Sequence, residues 1–187
     1  MITELPYKIG VGEAAFYGPK LDFMFKDAIG REWQLATIQC DFNLPVRFDL
    51  SFTNEQGEKE RPVVIHRAIS GSLERFMGVM IEHFGGAFPL WIAPIQFQIV
   101  PVAEKFNNYA FQVASQLKKA DFRVKVDEGS ESFSKKIRNA EMMKIPYILI
   151  VGEKEESANE VSVREFRSKK QYVLGVEELM KQVEQER

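Results

Sequence analysis

The sequence predicts two structural units of different class: an α+β unit over residues 1–88, with an antiparallel sheet and one long helix, and an α/β unit over residues 89–187. Three observations carry this. Extended runs follow one another early in the chain with only turn residues between them, as antiparallel strands do. From residue 96 onward, extended runs alternate with helical periods, as in units with helices packed on a sheet. Between the two patterns lies Pro89-Leu-Trp-Ile-Ala-Pro94, whose prolines restrict the backbone where the pattern changes.

In the first unit, Lys20–Lys26 alternates around Leu21, Phe23 and Phe25. Arg31–Phe42 is a second extended run containing Trp33, Leu35 and Ile38. Arg47–Thr53 alternates again, with Phe48, Leu50 and Phe52 on one face, and predicts a third strand. Turn residues separate the runs at Asp27–Gly30, Asn43–Pro45 and Asn54–Lys59. Ile69, Leu73, Phe76, Met80 and Phe84 then recur at helical spacing and predict a helix over Arg67–Phe84, stopped by Gly85-Gly86. Gly71, Ser72, Arg75 and Gly78 lie off that stripe; they suit either close helix–sheet packing or open space beside a cation.

The second unit predicts strands at Gln96–Val102, Phe122–Val126, Tyr147–Val151, Val161–Phe166 and Lys170–Leu174. Helices are predicted at Glu104–Lys119, with Phe106, Tyr109, Ala110, Val113 and Leu117 inward, at Ser134–Met143, and at Val176–Glu186. Strands spaced by helices imply crossovers on a largely parallel sheet.

Composition narrows the class. With 45% hydrophobic and 28% charged residues, the chain reads as soluble and globular. A lone cysteine, Cys40, rules out an internal disulfide and fits a cytoplasmic location. No apolar run reaches membrane-spanning length, and the first residues lack a signal-peptide pattern, so no membrane partner is expected. Residues 1–88 hold 9 Lys/Arg against 12 Asp/Glu, and residues 89–187 hold 16 against 15. The second half concentrates Lys118, Lys119, Arg123, Lys125, Lys135, Lys136, Arg138 and Lys144. Such a cluster is either a solvated surface or the footprint of a phosphate backbone.

Few residues announce chemistry by spacing alone. His66 and His83 belong to no metal-ligand pattern, and Cys40 with His66 does not make a closed zinc site. Spacing favours a structural role for His66, although its place just before the Gly/Ser/Arg helix draws notice. Tyr17-Gly-Pro-Lys20 reads as a turn before a strand, or as a lysine presented to phosphate. Gln34, Thr37 and Gln39 are polar positions in an apolar run. Gln34 and Gln39 have opposite parity, so both line one ligand only if the strand bends or bulges.

Three segments, in this order and spacing, resemble the threonyl-tRNA synthetases: Gly12-Glu-Ala-Ala-Phe-Tyr-Gly-Pro-Lys20, Trp33-Gln-Leu-Ala-Thr-Ile-Gln-Cys-Asp-Phe42 and His66-Arg-Ala-Ile-Ser-Gly-Ser-Leu-Glu-Arg-Phe76. The last looks like class II motif 3. Residues 89–187 resemble the anticodon-binding domain of class IIa synthetases, through Lys135-Lys-Ile-Arg-Asn-Ala-Glu141 and Ile148-Leu-Ile-Val-Gly-Glu-Lys-Glu155. The resemblance implies the end of a class II antiparallel core with its motif 3 helix, then an α/β domain on a mixed five-stranded sheet. It implies Arg75 as the catalytic arginine on ATP phosphate, suited by its permanent charge and forked donors. Lys20, Gln34 and Thr37 become nucleotide-side contacts, and Tyr17, Gln39 and Ser72 threonine-side contacts. His66 becomes one of three zinc ligands, in a family whose zinc holds the threonine amino and hydroxyl groups and so rejects valine. Mg2+ accompanies ATP. Lys144, Glu155 and Arg164 become anticodon contacts, and tRNA(Thr) the partner.

The departures are equally informative. Class II motifs 1 and 2 are absent from this sequence, and with them the dimer-forming segment of a homodimeric family and an ATP-binding arginine. The other two zinc ligands of the family are absent too. Lys144 stands where some relatives have arginine, and Glu128–Ser132 departs from the form common in bacterial relatives. Three functions remain to be separated: part of a ligase that activates threonine with ATP and charges tRNA, an anticodon-binding module without catalysis, and a regulatory paralogue without tRNA binding. The expectation for this chain alone is tRNA binding without catalysis, whether the sequence is an engineered fragment, a truncated product or a partial record.

Overall fold

The computed structural model describes residues 6–185, and its chain divides into two units between His83 and Phe84. The first unit is built on an antiparallel three-stranded sheet ordered β1-β2-β5, where β1 is Lys20–Lys26, β2 Glu32–Asp41 and β5 Val64–Ala68. The β1–β2 register shifts between Phe23 and Met24: Phe23 faces Ala36, whereas Met24 faces Gln34. Leu35 is therefore the extra residue of a bulge, and it is buried.

The turn at Asp27 is held by its carboxylate. Oδ1 accepts the amides of Ile29 and Arg31, and Oδ2 accepts Trp33 Nε1 at 2.9 Å and Arg31 Nε at 2.5 Å. Burial alone would raise the Asp27 carboxyl, but these donors outweigh it and hold it well below the usual carboxylate range. Arg31 also reaches Glu82, at 3.1 Å, on α2 (Leu73–Phe84), tying the helix to the hairpin.

Two expectations for this unit are corrected. Arg47–Thr53 is not a strand: Leu44–Arg47 forms a short helix, α1, and only Phe52–Thr53, β3, is extended, paired with β4 at Lys59–Glu60. Asp41 Oδ1 accepts the amides of Asn43 and Leu44, and Pro45 occupies the first turn, where its missing N–H is harmless. The long helix starts at Leu73, not Arg67, because Val64–Ala68 pairs with β2. Gly71 has φ of +70°, and a Cβ there would lie 2.6 Å from the Leu35 carbonyl, so the chain enters α2 pressed onto the bulge. Ser72 caps the helix, its Oγ accepting the Arg75 amide at 3.3 Å.

The second unit carries a five-stranded sheet ordered β10-β9-β8-β6-β7, formed by Gln171–Gly175, Glu160–Glu165, Tyr147–Val151, Phe97–Pro101 and Val124–Val126. β6 runs parallel to both β7 and β8, while β8–β9 and β9–β10 are antiparallel, so the sheet is mixed. α3 (Asn107–Lys119) and α6 (Val176–Glu184) cover one face over Phe97, Ile99, Leu149, Val161 and Val163. α4 (Phe133–Met142) supplies Ile137 and Ala140 to a smaller cluster with Val100, Ile145 and Ile148. Glu186, the expected end of the last helix, lies outside the described residues. A further helix, α5, occupies Glu153–Ala158 and was not expected. No described helix is long and apolar enough to cross a membrane.

Candidate functional site

Because side chains alternate along a strand, β1, β2 and β5 each send every second residue to one face, and the Leu35 bulge resets the count on β2. Lys20 pairs with Gln39, Asp22 with Thr37 and Met24 with Gln34, so Gln34, Thr37 and Gln39 share a face despite their parity. On the other side of β2, Gln39 pairs with His66 and Thr37 with Ala68. Tyr17, Lys20, Gln34, Thr37, Gln39 and His66 accordingly line one open cavity of about 400 Å³, with Glu13, Ala15 and Ala68.

The cavity holds two hydrogen-bonded groups. At one end Asp22 gathers Lys20 Nζ at 2.6 Å, Gln34 Nε2 at 2.7 Å and Thr37 Oγ1 at 2.9 Å. The Asp22 hydrogen bond pushes the Lys20 ammonium above its ordinary pKa. At the other end Tyr17 OH donates to Gln39 Oε1 at 3.2 Å, and the Tyr17 and His66 rings meet edge-on at 6.4 Å. His66 Nε2 lies 2.9 Å from Oδ2 of the buried Asp41, a carboxylate that fixes the imidazole orientation. Burial opposes ionisation of Asp41, but the Leu44 amide, His66 and the Asn43 amide together lower its pKa.

Arg75 and Ser72 stand beside this cavity rather than among its lining residues. The Arg75 guanidinium donates to the Gln34 carbonyl at 2.9 Å and lies 5.8 Å from the Trp33 ring centre. It is exposed. Sequence reasoning missed Asp22 and Asp41. Asp22 shares strand parity with Lys20, and Asp41 with Gln39, which is the signal that finds them.

Among the described residues, no group of three or more His, Cys, Asp and Glu side chains comes together to hold a metal ion. His66 with its carboxylate partner suits one ligand position of a zinc site, and the described donors do not complete a site.

In the second unit the expected contacts sit on separate elements. Arg164 on β9 pairs with Glu141 of α4 at 2.5 Å. Lys144 follows α4 with φ of +55°, and its Nζ donates to the Gly85 carbonyl. Glu155 is half-buried on α5. The basic cluster needs one correction: Lys136 is buried, 7% exposed, and its Nζ donates to the Asp127 carbonyl at 3.1 Å. It belongs to the inner face of α4 and is unavailable to phosphate. Neighbouring Lys135 remains exposed, paired with Glu131 at 2.6 Å.

Comparisons with known proteins divide the chain in the same order. The family described as "tRNA synthetase class II core domain (G, H, P, S and T)" matches residues 4–84, and "Anticodon binding domain" matches residues 96–186. A threonine–tRNA ligase of Deinococcus radiodurans is 57% identical over 161 residues, covering 86% of this chain and 25% of that protein. One from Prosthecochloris aestuarii is 51% identical over 182 residues, covering 97% of this chain and 28% of that protein. The crystal structure of the RNA binding domain of threonyl-tRNA synthetase from Cryptosporidium parvum matches with a TM-score of 0.90 at 38% identity, over 98% of this chain and 47% of that one. The chain thus spans about a quarter of the length of these curated relatives.

Proposed function

Because this chain belongs to the threonyl-tRNA synthetase family, we propose that it forms part of a threonine–tRNA ligase and that, taken alone, it binds the anticodon region of tRNA(Thr) without catalysing threonine activation. The observation carrying this reading is the contrast between the units. Residues from Leu90 onward enclose a core of fully buried side chains on both faces of a five-stranded sheet, whereas among the described residues before it only Leu35, Ala36 and Pro45 are buried apolar positions. We place the functional boundary at 88/89, with the class II core segment before it and the anticodon-binding domain after it.

In this reading Arg75, Lys20, Gln34 and Thr37 serve the nucleotide, and Tyr17, Gln39 and Ser72 the threonine. A guanidinium beside an indole suits a nucleotide, because it offers charge to phosphate and a flat cationic face to a base. His66, oriented by Asp41, supplies one zinc ligand; the metal's chemistry is to bind the substrate amino and hydroxyl groups. Mg2+ accompanies ATP. A homodimer and a cytoplasmic location follow from the family and belong to the whole ligase. Positioning supplies much of the rate in such chemistry, so a site holding part of its phosphate and metal contacts loses orders of magnitude.

For the anticodon we assign Arg164 and Glu155 to base edges, arginine donating and carboxylate accepting, and Lys144 as a third contact. Unpaired loop bases expose those edges. The test is binding of the 187-residue chain to the tRNA(Thr) anticodon stem-loop across a salt series, with ATP–pyrophosphate exchange run in parallel. Binding that weakens with salt, and discrimination against altered anticodons that falls by about 1–3 kcal/mol in Glu155→Ala or Arg164→Ala, is expected. Equal discrimination by both variants and the unmutated chain removes the base-reading assignment, and robust exchange by the chain alone removes the proposal that it is inactive.

A further inference from the structure

Asp22 sits where its charge is at first unwelcome. Asp22 is not itself a lining residue, but it bonds three that are, Lys20, Gln34 and Thr37, and so sets a negative charge beside a cavity assigned to an anionic nucleotide. Its bonds give the cavity a definite polarity. A carboxylate only accepts, so Gln34 must turn its NH2 toward Asp22. Nε2 donates to Asp22 Oδ1 at 2.7 Å and to Thr37 Oγ1 at 2.8 Å. Both amide protons are then committed, and the carbonyl Oε1 is the atom left to meet a ligand.

Thr37 is set in the same way. Its single hydroxyl proton goes to Asp22 Oδ1 at 2.9 Å, while one lone pair takes the proton from Gln34. The remaining lone pair can only accept. Asp22 Oδ2 holds Lys20 Nζ at 2.6 Å, leaving that ammonium with protons to spare for a phosphate oxygen. One carboxylate thereby fixes two acceptors and one cationic donor in a row along the sheet.

We propose that Asp22 is the positioning and specificity-determining residue of this cavity: it locks Gln34 and Thr37 as acceptors, so the bound nucleoside must offer hydrogen-bond donors there. This rests on the nucleotide-side reading of the site. Two groups of ATP have that chemistry, the ribose hydroxyls and the exocyclic amine of adenine. A site built to accept from such donors discriminates against analogues lacking them, because its acceptors are left unpaired.

The test uses the 15N-labelled 187-residue chain and the nearly isosteric Asp22→Asn, with Asp22→Glu as the conservative variant. The first arm needs no ligand. The Gln34 side-chain NH2 signals, identified by their loss in Gln34→Glu, should move toward free-amide positions and exchange faster with solvent in Asp22→Asn. In Asp22→Glu they should stay near their original positions, and the backbone spectrum of each variant reports the fold. Gln34 signals that remain unchanged in Asp22→Asn overturn the inference. The second arm titrates ATP, 2′-deoxy-ATP, 3′-deoxy-ATP and inosine triphosphate. We expect at least one analogue to bind the unmutated chain about five- to tenfold more weakly than ATP, with the gap falling below about twofold in Asp22→Asn. A deficit confined to the deoxy analogues assigns the donor to ribose, and one confined to the inosine nucleotide assigns it to the amine. Equal binding of all four overturns the specificity role. If no nucleotide moves the Gln34 signals, the nucleotide reading itself fails, while the first arm still decides whether Asp22 orients Gln34.

Discussion

Lys135 and Lys136 are adjacent in the basic cluster, yet their substitution should have opposite consequences. Lys136 is 7% exposed on the inner face of α4 beside Ile137 and Ala140, with Nζ on the Asp127 carbonyl at 3.1 Å. Lys136→Met keeps most of the stem's volume and deletes that bond. Hydrogen bonds to charged groups contribute about 1.5–3 kcal/mol, and the lost donor leaves the Asp127 carbonyl underserved. Removing a buried ammonium also relieves its desolvation, which offsets part of the loss. A net destabilisation of about 1–2 kcal/mol follows, and for a unit of this size Tm falls by roughly 4–16 °C.

RNA affinity should report the other residue. The Lys135 side chain is 60% exposed, and its ion pair with Glu131 adds little in water. Where Lys135 meets a phosphate, Lys135→Ala lowers the slope of log affinity against log salt by about 0.7–0.9 while changing stability by less than about 0.5 kcal/mol. Lys136→Met leaves the slope unchanged under conditions where it stays folded. Amide hydrogen exchange at the fully buried Leu149 measures the stability, and stem-loop binding between low and moderate salt measures the slope. A Lys136→Met chain with unaltered Leu149 exchange and a slope reduced by nearly one would refute the buried placement of this lysine.

Two further substitutions probe the first unit. Gly71→Ala places a Cβ 2.6 Å from the Leu35 carbonyl in a left-handed backbone, and should destabilise the sheet by about 2 kcal/mol or more, read as faster amide exchange at Ala36. Asp27 has a depressed folded pKa, so it stabilises the unit above its unfolded value near 4, and that contribution is lost as pH falls below 4 toward the folded value. Trp33 fluorescence followed from pH 6 to pH 2 should show this acid loss, and Asp27→Asn should flatten it; an unchanged acid profile in Asp27→Asn would exclude Asp27 as its source.

Element type was legible wherever a pattern reflected a real core. Tyr147–Val151 is nearly all apolar because helices cover the sheet on both faces, and it forms the predicted strand. Phe48, Leu50 and Phe52 alternate equally well, but they are 69%, 40% and 45% exposed, so the alternation marked no buried face. Local chemistry decided instead, through Asp41 capping the turn and Pro45 opening it. Glu153–Ala158 gave no apolar period, since α5 fully buries no side chain. The cavity was half legible: its residue types were visible, while their common face required a bulge at Leu35 that no spacing rule supplies.

That bulge links the fold of the first unit to its chemistry. Without it, Gln34 would point away from Thr37 and Gln39, and Asp22 would lose one of its partners. The bulge is secured from outside the sheet, since the Gly71 loop packs on the Leu35 carbonyl and Arg75 donates to the carbonyl of Gln34. A residue assigned to nucleotide phosphate therefore touches, through its own guanidinium, the backbone that aims Gln34 into the cavity. Replacing Arg75 removes a phosphate cation and a support of Gln34 together. Arg75→Lys keeps a positive charge for phosphate but lacks the guanidinium donor that reaches the Gln34 carbonyl, so a loss of Gln34 side-chain ordering in Arg75→Lys reports the supporting role apart from the charge.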